Sequence, residues 1–238
     1  MRRLRLATVG AVCALVGVLC FLVGVVLTVS SGVDTLIPET GEQGLRWITD
    51  VQDAGGAFLV GAWLAIFGGL FLLIALVGFY DALREAGTVL IIAPITGAVG
   101  LTLVTVSHVI PVAMAYELAP GYLEASETAR AVLAVTADTL TSTSLLTNYV
   151  GNALGWGVAV PLYAIAILST TVVPRWIGWL GMVVAVFAGW LGLLGPLSDV
   201  IEGVSSIGFI GFFVFMASMG IAILRRRNRP VVETALSA

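Results

Sequence analysis

The side chains able to bind or react are few, and most of them share one face of one segment. Asp138, Thr141, Ser144, Asn148 and Asn152 follow one another closely, and from Thr141 onward the spacings are 3, 4 and 4. On an α-helix that spacing puts hydroxyls and carboxamides on one side. His108, the one histidine of the chain, sits in an apolar run with Thr102, Thr105 and Ser107, one turn before Pro111. Groups of this kind in apolar surroundings need partners inside the protein, on a neighbouring helix or in a cavity that holds a ligand. His108, Asp138, Ser144, Asn148 and Asn152 are therefore the expected ligand-binding set. A single histidine cannot build a multi-histidine zinc site or a bis-histidine haem site, so no metal and no cofactor is expected. With no G-x-S-x-G elbow and no P-loop, no catalytic residue is assigned from motifs. The remaining reactive arrangement is acid–base: Asp138, Asp199 or Glu202 as acid and His108 as base, acting on a lipid or isoprenoid.

The elements that must position these groups are written for lipid. Apolar residues make up 59% of the chain and charged ones 11%, with a mean hydropathy of +1.09, against about 25% charged residues in an ordinary soluble domain. A spanning helix takes about 20 mostly apolar residues, and six segments qualify: 6–29, 55–79, 88–114, 144–168, 174–196 and 203–224. The reading is an all-α integral membrane bundle of about six helices, one domain over 1–238. Residues 119–143 are too polar for lipid yet rich in Ala, Leu and Val, and are expected either to prolong the fourth helix beyond the membrane or to lie on its surface. Arg2, Arg3 and Arg5 before an apolar run imitate a signal peptide, but that run is too long for a cleavable one and is read as a retained first helix.

All 11 basic residues are arginine. The absence of lysine excludes a Schiff-base chromophore. If the N-terminus is inside, Arg2, Arg3, Arg5, Arg84, Arg175, Arg225, Arg226, Arg227 and Arg229 are cytoplasmic and only Arg46 and Arg130 are outside, as the positive-inside rule requires. Most acidic residues, Asp34, Asp50, Asp53, Asp138, Asp199 and Glu202 among them, then gather outside. Both termini are expected in the cytoplasm. Run Arg225-Arg226-Arg227-Asn228-Arg229 serves as a stop-transfer anchor and could attract anionic lipid.

Helices in lipid pack through small residues. The first segment offers Gly10, Cys13, Gly17, Cys20 and Gly24 as a seam, with Val18 expected off it; the second offers Gly61, Ala65 and Gly68; the fifth offers Gly178, Gly181, Ala185, Ala188, Gly192 and Gly195. Cys13 and Cys20 are about 10 Å apart on a helix, too far for a disulfide. Pro94, Pro111 and Pro161 fall within spans and predict kinks.

Pro161-Leu162-Tyr163 followed by Val173-Pro174-Arg175-Trp176-Ile177-Gly178-Trp179-Leu180-Gly181 resembles the signature of an uncharacterised family of prokaryotic polytopic membrane proteins. Ala75 to Arg84, ending Tyr80-Asp81-Ala82-Leu83-Arg84, is similar to that family's second helix and loop. The resemblance spans roughly half the chain. It implies six helices, a tight cytoplasmic turn at Pro174 and Arg175, and no assigned reaction.

Three kinds of function fit these features. The leading one is a non-enzymatic membrane protein whose small polar pocket, open to the outside, takes a solute, a lipid or a partner helix. The others are a membrane-embedded enzyme acting on a lipid or isoprenoid, and a structural or assembly subunit. The expected partners are the bilayer, a small solute or lipid, and a second copy or another membrane protein; nucleic acid is not among them.

Overall fold

A computed structural model describes residues 6–227. Arg2, Arg3, Arg5, Asn228, Arg229 and Glu233 lie outside the described residues, as do the side chains of Asp199, Glu202 and Arg227. Six helical stretches are long and apolar enough to cross a membrane: Leu6–Ser30, Gly56–Ala86, Thr88–Glu124, Glu127–Ser169, Arg175–Leu194 and Gly203–Arg226. They overlap the six expected spans, and the described chain is an all-α bundle.

Helix α1 is Leu6–Ser30. A short strap leads to α2, Glu42–Ala54, whose buried residues Gly44, Trp47, Ile48 and Val51 follow the i, i+3, i+4, i+7 pattern of an amphipathic helix. Gly55, at φ +55°, makes the turn into α3, Gly56–Leu83. Two short turns follow, then α4, Ile92–Ala113, a wider π turn at Met114–Leu118 and the brief α5, Ala119–Glu124. Helix α6, Glu127–Leu154, runs through a π turn at Gly155–Ala159 into α7, Val160–Ser169. Helix α8, Arg175–Val184, continues through a π turn at Ala185–Leu191 into α9, Gly192–Leu194. The last helix, α10, is Asp199–Arg227.

Residues 119–143 take the first of their two expected courses over most of their length. The stretch Glu127–Ser169 is a single helical rod, about 65 Å long at ~1.5 Å per residue. That is twice the ~30 Å hydrocarbon core, so the rod is longer than one crossing needs, with the polar turns before Ser144 at one end. There α2, α5 and the start of α6 form an outer cap around buried Trp47, Ile48, Phe58, Met114, Leu118 and Ala137. The Trp47 ring meets Phe58 edge-on at 5.4 Å, and its Nε1–H donates to the Thr35 carbonyl at 3.0 Å.

Around the bundle the spans neighbour one another in chain order, α1 with α3, α3 with α4, α4 with α6, α7 with α8 and α8 with α10, and α10 closes the ring on α1. The tightest seam joins α1 to α3. A Cβ placed on Gly10 would lie 2.5 Å from the Gly78 Cα, one on Gly17 2.9 Å from the Gly68 oxygen, and one on Gly24 2.5 Å from the Gly61 oxygen. Only glycine allows that approach, and it extends for the length of the helix. The cysteines stand aside from it, both only half-buried. Val18, expected off the seam, is buried instead. It packs into the central core with Phe21, Leu72 and the α10 residues Phe215, Met216 and Met219, because α1 is flanked by α10 as well as α3.

Two polar contacts lock the basic end and the centre. The Asp81 carboxylate accepts the Ala7 backbone N–H at 3.1 Å, satisfying one of the orphan donors at the start of α1, and pairs with Arg84 at 3.5 Å. The Tyr163 hydroxyl donates to the Leu76 carbonyl at 2.6 Å, tying α7 to α3.

Candidate functional site

The site begins with a proline. Pro111 has no N–H, so the carbonyl four residues earlier, that of Ser107, lacks its helical donor. In lipid such a carbonyl must be satisfied from elsewhere. The Ser144 hydroxyl supplies the bond, donating to the Ser107 oxygen at 2.6 Å from the neighbouring helix. This reach depends on glycines: a Cβ on Gly100 would lie 2.4 Å from the Gly155 nitrogen, and one on Gly151 2.8 Å from the Gly100 oxygen. Helices α4 and α6 are thus almost in backbone contact. Their antiparallel register then carries Ser107 to Ser144 and Asn148.

From that anchor the polar groups form one connected network. Asn148 Nδ2–H donates to Ser107 Oγ at 3.0 Å, and Asn152 Nδ2–H donates to Asn148 Oδ1 at 2.8 Å. Ser107 Oγ–H donates to the Val104 carbonyl at 2.7 Å, and His108 Nδ1 lies 2.6 Å from the same oxygen. A carbonyl can only accept, so Nδ1 carries the proton. In the neutral ring Nε2 is then left as an acceptor, and it makes no hydrogen bond to a described residue.

His108, Asn148 and Asn152 line one cavity of ≈ 450 Å³ at the acidic end of the bundle. Phe21, Val25 and Thr28 of α1 form one wall, and Ser205, Ser206 and Phe209 of α10 another. Ala188, Gly192 and Gly195 close the side formed by α8, α9 and the turn beyond. Asp34, Thr35, Leu36 and Ile37 of the strap form its rim. Trp47 holds that strap through the Thr35 carbonyl, and Thr35 Oγ1–H closes a local turn on the Ile37 carbonyl. Beneath, Phe21 meets the His108 ring edge-on at 5.8 Å and Phe213 at 4.8 Å, while Trp156 stacks on Phe212 at 3.8 Å. Bulky rings hold the helices apart here, where glycines draw them together elsewhere.

Three buried polar atoms have no partner among the described residues: Asn152 Oδ1, Thr28 Oγ1 and Trp156 Nε1. Asn152 and Thr28 are cavity residues, 9% and 1% exposed, and His108 is 7% exposed. Leaving a buried polar group unmade costs about 1–3 kcal/mol. Thr28 Oγ1 sits against Gly61 of α3, in the α1–α3 seam. Asn152 and the His108 ring line the cavity, and of their free atoms Asn152 Oδ1 and the imidazole Nε2 can only accept.

Of the five expected site residues, three line this cavity, and Ser144 stands behind it as the support of Ser107. Asp138 is elsewhere: its carboxylate accepts the Gly41 backbone N–H at 2.9 Å and fastens the strap before α2 to the outer length of α6. The acid–base pairing of Asp138 with His108 does not form. The side chains of Asp199 and Glu202 lie outside the described residues. Among the described residues, Asp34 is the carboxylate that lines the cavity. Ser107 and His108 do not form a nucleophile–base pair either, because the nearer nitrogen, 3.4 Å from Oγ, is the protonated one. No group of three or more His, Cys, Asp or Glu able to hold a metal occurs among the described residues.

Sequence reasoning missed Thr28, Phe21, Phe209 and the strap. One signal was available: Thr28 continues the Gly17 and Gly24 face of α1 by one more turn. Nothing local marks Phe209 as a cavity residue among the many phenylalanines of α10. Compared with protein-family models, with curated proteins and with solved structures, the chain finds no match in any of the three.

Proposed function

We propose that this is a polytopic membrane protein that binds a small, largely apolar molecule bearing a hydroxyl or amide, in the cavity between α1, α4, α6 and α10. The observation that carries this reading is the buried, unpartnered Asn152 Oδ1 on a residue that lines the same cavity as the His108 ring. Aromatic and aliphatic walls suit the apolar body, and the acceptor-rich wall suits a neutral donor. A carboxylate ligand is disfavoured, because no arginine lines the cavity. The reading is one of binding: the candidate acid Asp138 is held by the strap, and the His108 Nδ1–H is committed to Val104.

The arginine distribution supports both termini being cytoplasmic, which makes the cavity open outward; the family resemblance supports a prokaryotic cell membrane. The Pro174–Gly181 motif and the Tyr80–Arg84 loop support membership of the uncharacterised six-helix family that they resemble.

Native mass spectrometry of the detergent-purified protein tests the binding. A co-purifying neutral amphiphile is expected, lost in both Asn152→Ala and His108→Phe while each variant keeps the thermal unfolding temperature of the parent within a few degrees. Retention of the same adduct by both variants would sink the proposal. Cysteine labelling from either side of the membrane tests the orientation, and a tail after Arg229 that labels from outside would reverse it.

A further inference from the structure

The basic end carries a second cavity, of ≈ 550 Å³, between the α7–α8 turn and the last turns of α10. The turn and the start of α8 contribute Thr171, Pro174 and Trp176, and α10 contributes Ser218, Arg225 and Arg226. Neither guanidinium pairs with a carboxylate or hydrogen-bonds to another described residue; the ion pair at this end is that of Arg84 with Asp81. The hydroxyls of Thr171 and Ser218 likewise make no hydrogen bond to a described residue. Other lining residues are apolar: Val173, Ile177, Ile221 and Ala222.

On α10 the guanidiniums of Arg225 and Arg226 stand near the helix end, and Ile221, Ala222 and Ser218 follow back along it. Trp176, 55% exposed, sits at the rim, as an amphipathic ring does at the depth of the headgroups. A stop-transfer anchor needs only solvated arginines and has no use for a cavity beneath them. Paired guanidinium forks match the oxygens of a phosphate, to which each can donate two parallel hydrogen bonds. The first N–H groups of α8 add donors without helical acceptors on the same wall.

We infer that this cavity binds a phosphate group, with Arg225 and Arg226 on its oxygens and the hydroxyls of Thr171 and Ser218 beside them. Guanidiniums and aliphatic walls in one cavity, with the exposed Trp176 among its lining residues, make the headgroup of an anionic phospholipid the better-fitting source. A free phosphate ester has the same oxyanion chemistry. The inference is independent of the ligand in the outer cavity, with which it shares no residue.

The test is native mass spectrometry of the delipidated full-length protein titrated separately with phosphatidylglycerol and phosphatidylcholine. A parallel arm measures the thermal shift produced by millimolar inorganic phosphate without lipid. The parent is expected to bind phosphatidylglycerol at least tenfold more tightly than phosphatidylcholine, and R225Q/R226Q to lose that preference. R225K/R226K, which keeps the charge but not the fork, should fall between them. Arg84→Gln, at the same end but outside the cavity, should match the parent. Stabilisation by inorganic phosphate, absent in R225Q/R226Q, identifies a soluble phosphate as a sufficient ligand. Lipid preference without a phosphate shift identifies the headgroup in its bilayer setting. Should the double variant not fold, Arg225→Gln and Arg226→Gln singly must each weaken phosphatidylglycerol binding severalfold. Equal binding of the two lipids with no phosphate shift would overturn the inference, as would wild-type behaviour of the glutamine variants.

Discussion

Helix α1 presents nearly the same face to two very different surroundings. Over its lower and middle turns, Gly10, Gly17 and Gly24 close against Gly78, Gly68 and Gly61 of α3 with no room for a single added carbon. Beside that seam, Phe21 and Val25 line a cavity shared with residues of α6 and α10. Hydrophobicity cannot account for the contrast, since both regions are apolar and lie in the same solvent. What differs is the side chains that separate the backbones. Glycine lets two helices gain dispersion along a continuous line, whereas Phe21, Trp156, Phe209, Phe212 and Phe213 prop helices apart and leave a space that polar groups edge. In lipid, open volume is set by what holds the helices off.

The largest test of that contrast is Gly78→Leu. Its first new carbon would lie 2.5 Å from the Gly10 Cα, so α1 and α3 must separate, at a cost of about 3 kcal/mol. The unfolding temperature in detergent is expected to fall sharply, while Leu19→Ala on the exposed face of α1 should change it little. Similar melting of the two variants would dissolve the distinction between a closed seam and the rest of the bundle.

A smaller effect is expected at the proline-freed carbonyl. Ser144→Ala removes the donor to the Ser107 oxygen, and interhelical hydrogen bonds in membranes average ~0.6 kcal/mol. The informative measurement is a double-mutant cycle, because Pro111→Ala restores the backbone N–H that this carbonyl lacks. With Pro111 present, Ser144→Ala should destabilise; with Pro111→Ala it should be close to neutral. Additive effects would mean that Ser144 is not replacing the missing helical bond.

The smallest effect is expected at Gly192. A Cβ there would meet only the Ser205 Cβ, at 4.0 Å, whereas one on Gly189, three residues earlier, would lie 2.3 Å from the Gly157 nitrogen. Gly192→Ala should therefore alter stability by less than ~0.5 kcal/mol, while Gly189→Ala disrupts the contact between the π turns of Gly155–Ala159 and Ala185–Leu191. Equal melting of the two would show that the cavity wall is as tightly packed as the seam.

Much of the site was legible because helical spacing is a local property. Thr141, Ser144, Asn148 and Asn152 follow the 3.6-residue repeat, so their common face follows from the order of residues alone. The inclusion of His108 was also foreseeable, since a lone imidazole in an apolar run needs a partner, although that partner is the Val104 carbonyl of its own helix and not a group on another. Asp138 belonged to the same helix and nearly the same face, yet it serves the strap. Its fate was set by Gly41, 97 residues away, a pairing that spacing cannot express. Seam partners show the same division. Gly17 and Gly24 are visible as a row of small residues, but the tight meetings of Gly157 with Gly189 and of Gly100 with Gly155 depend on which helix lies next to which.

Composition and run length determined that the chain crosses a membrane, how many times it does so, and which ends gather arginine, because the free energy of placing a residue in lipid is nearly independent of its neighbours in space. Helical periodicity determined which polar groups would share a face. Tertiary structure decided the rest: the closing of α1 on α3, the freed Ser107 carbonyl finding Ser144, and the meeting of Phe21, Phe209 and His108 around one cavity. These depend on distances between segments far apart in the chain, and a displacement of one or two ångströms separates a closed seam from a site.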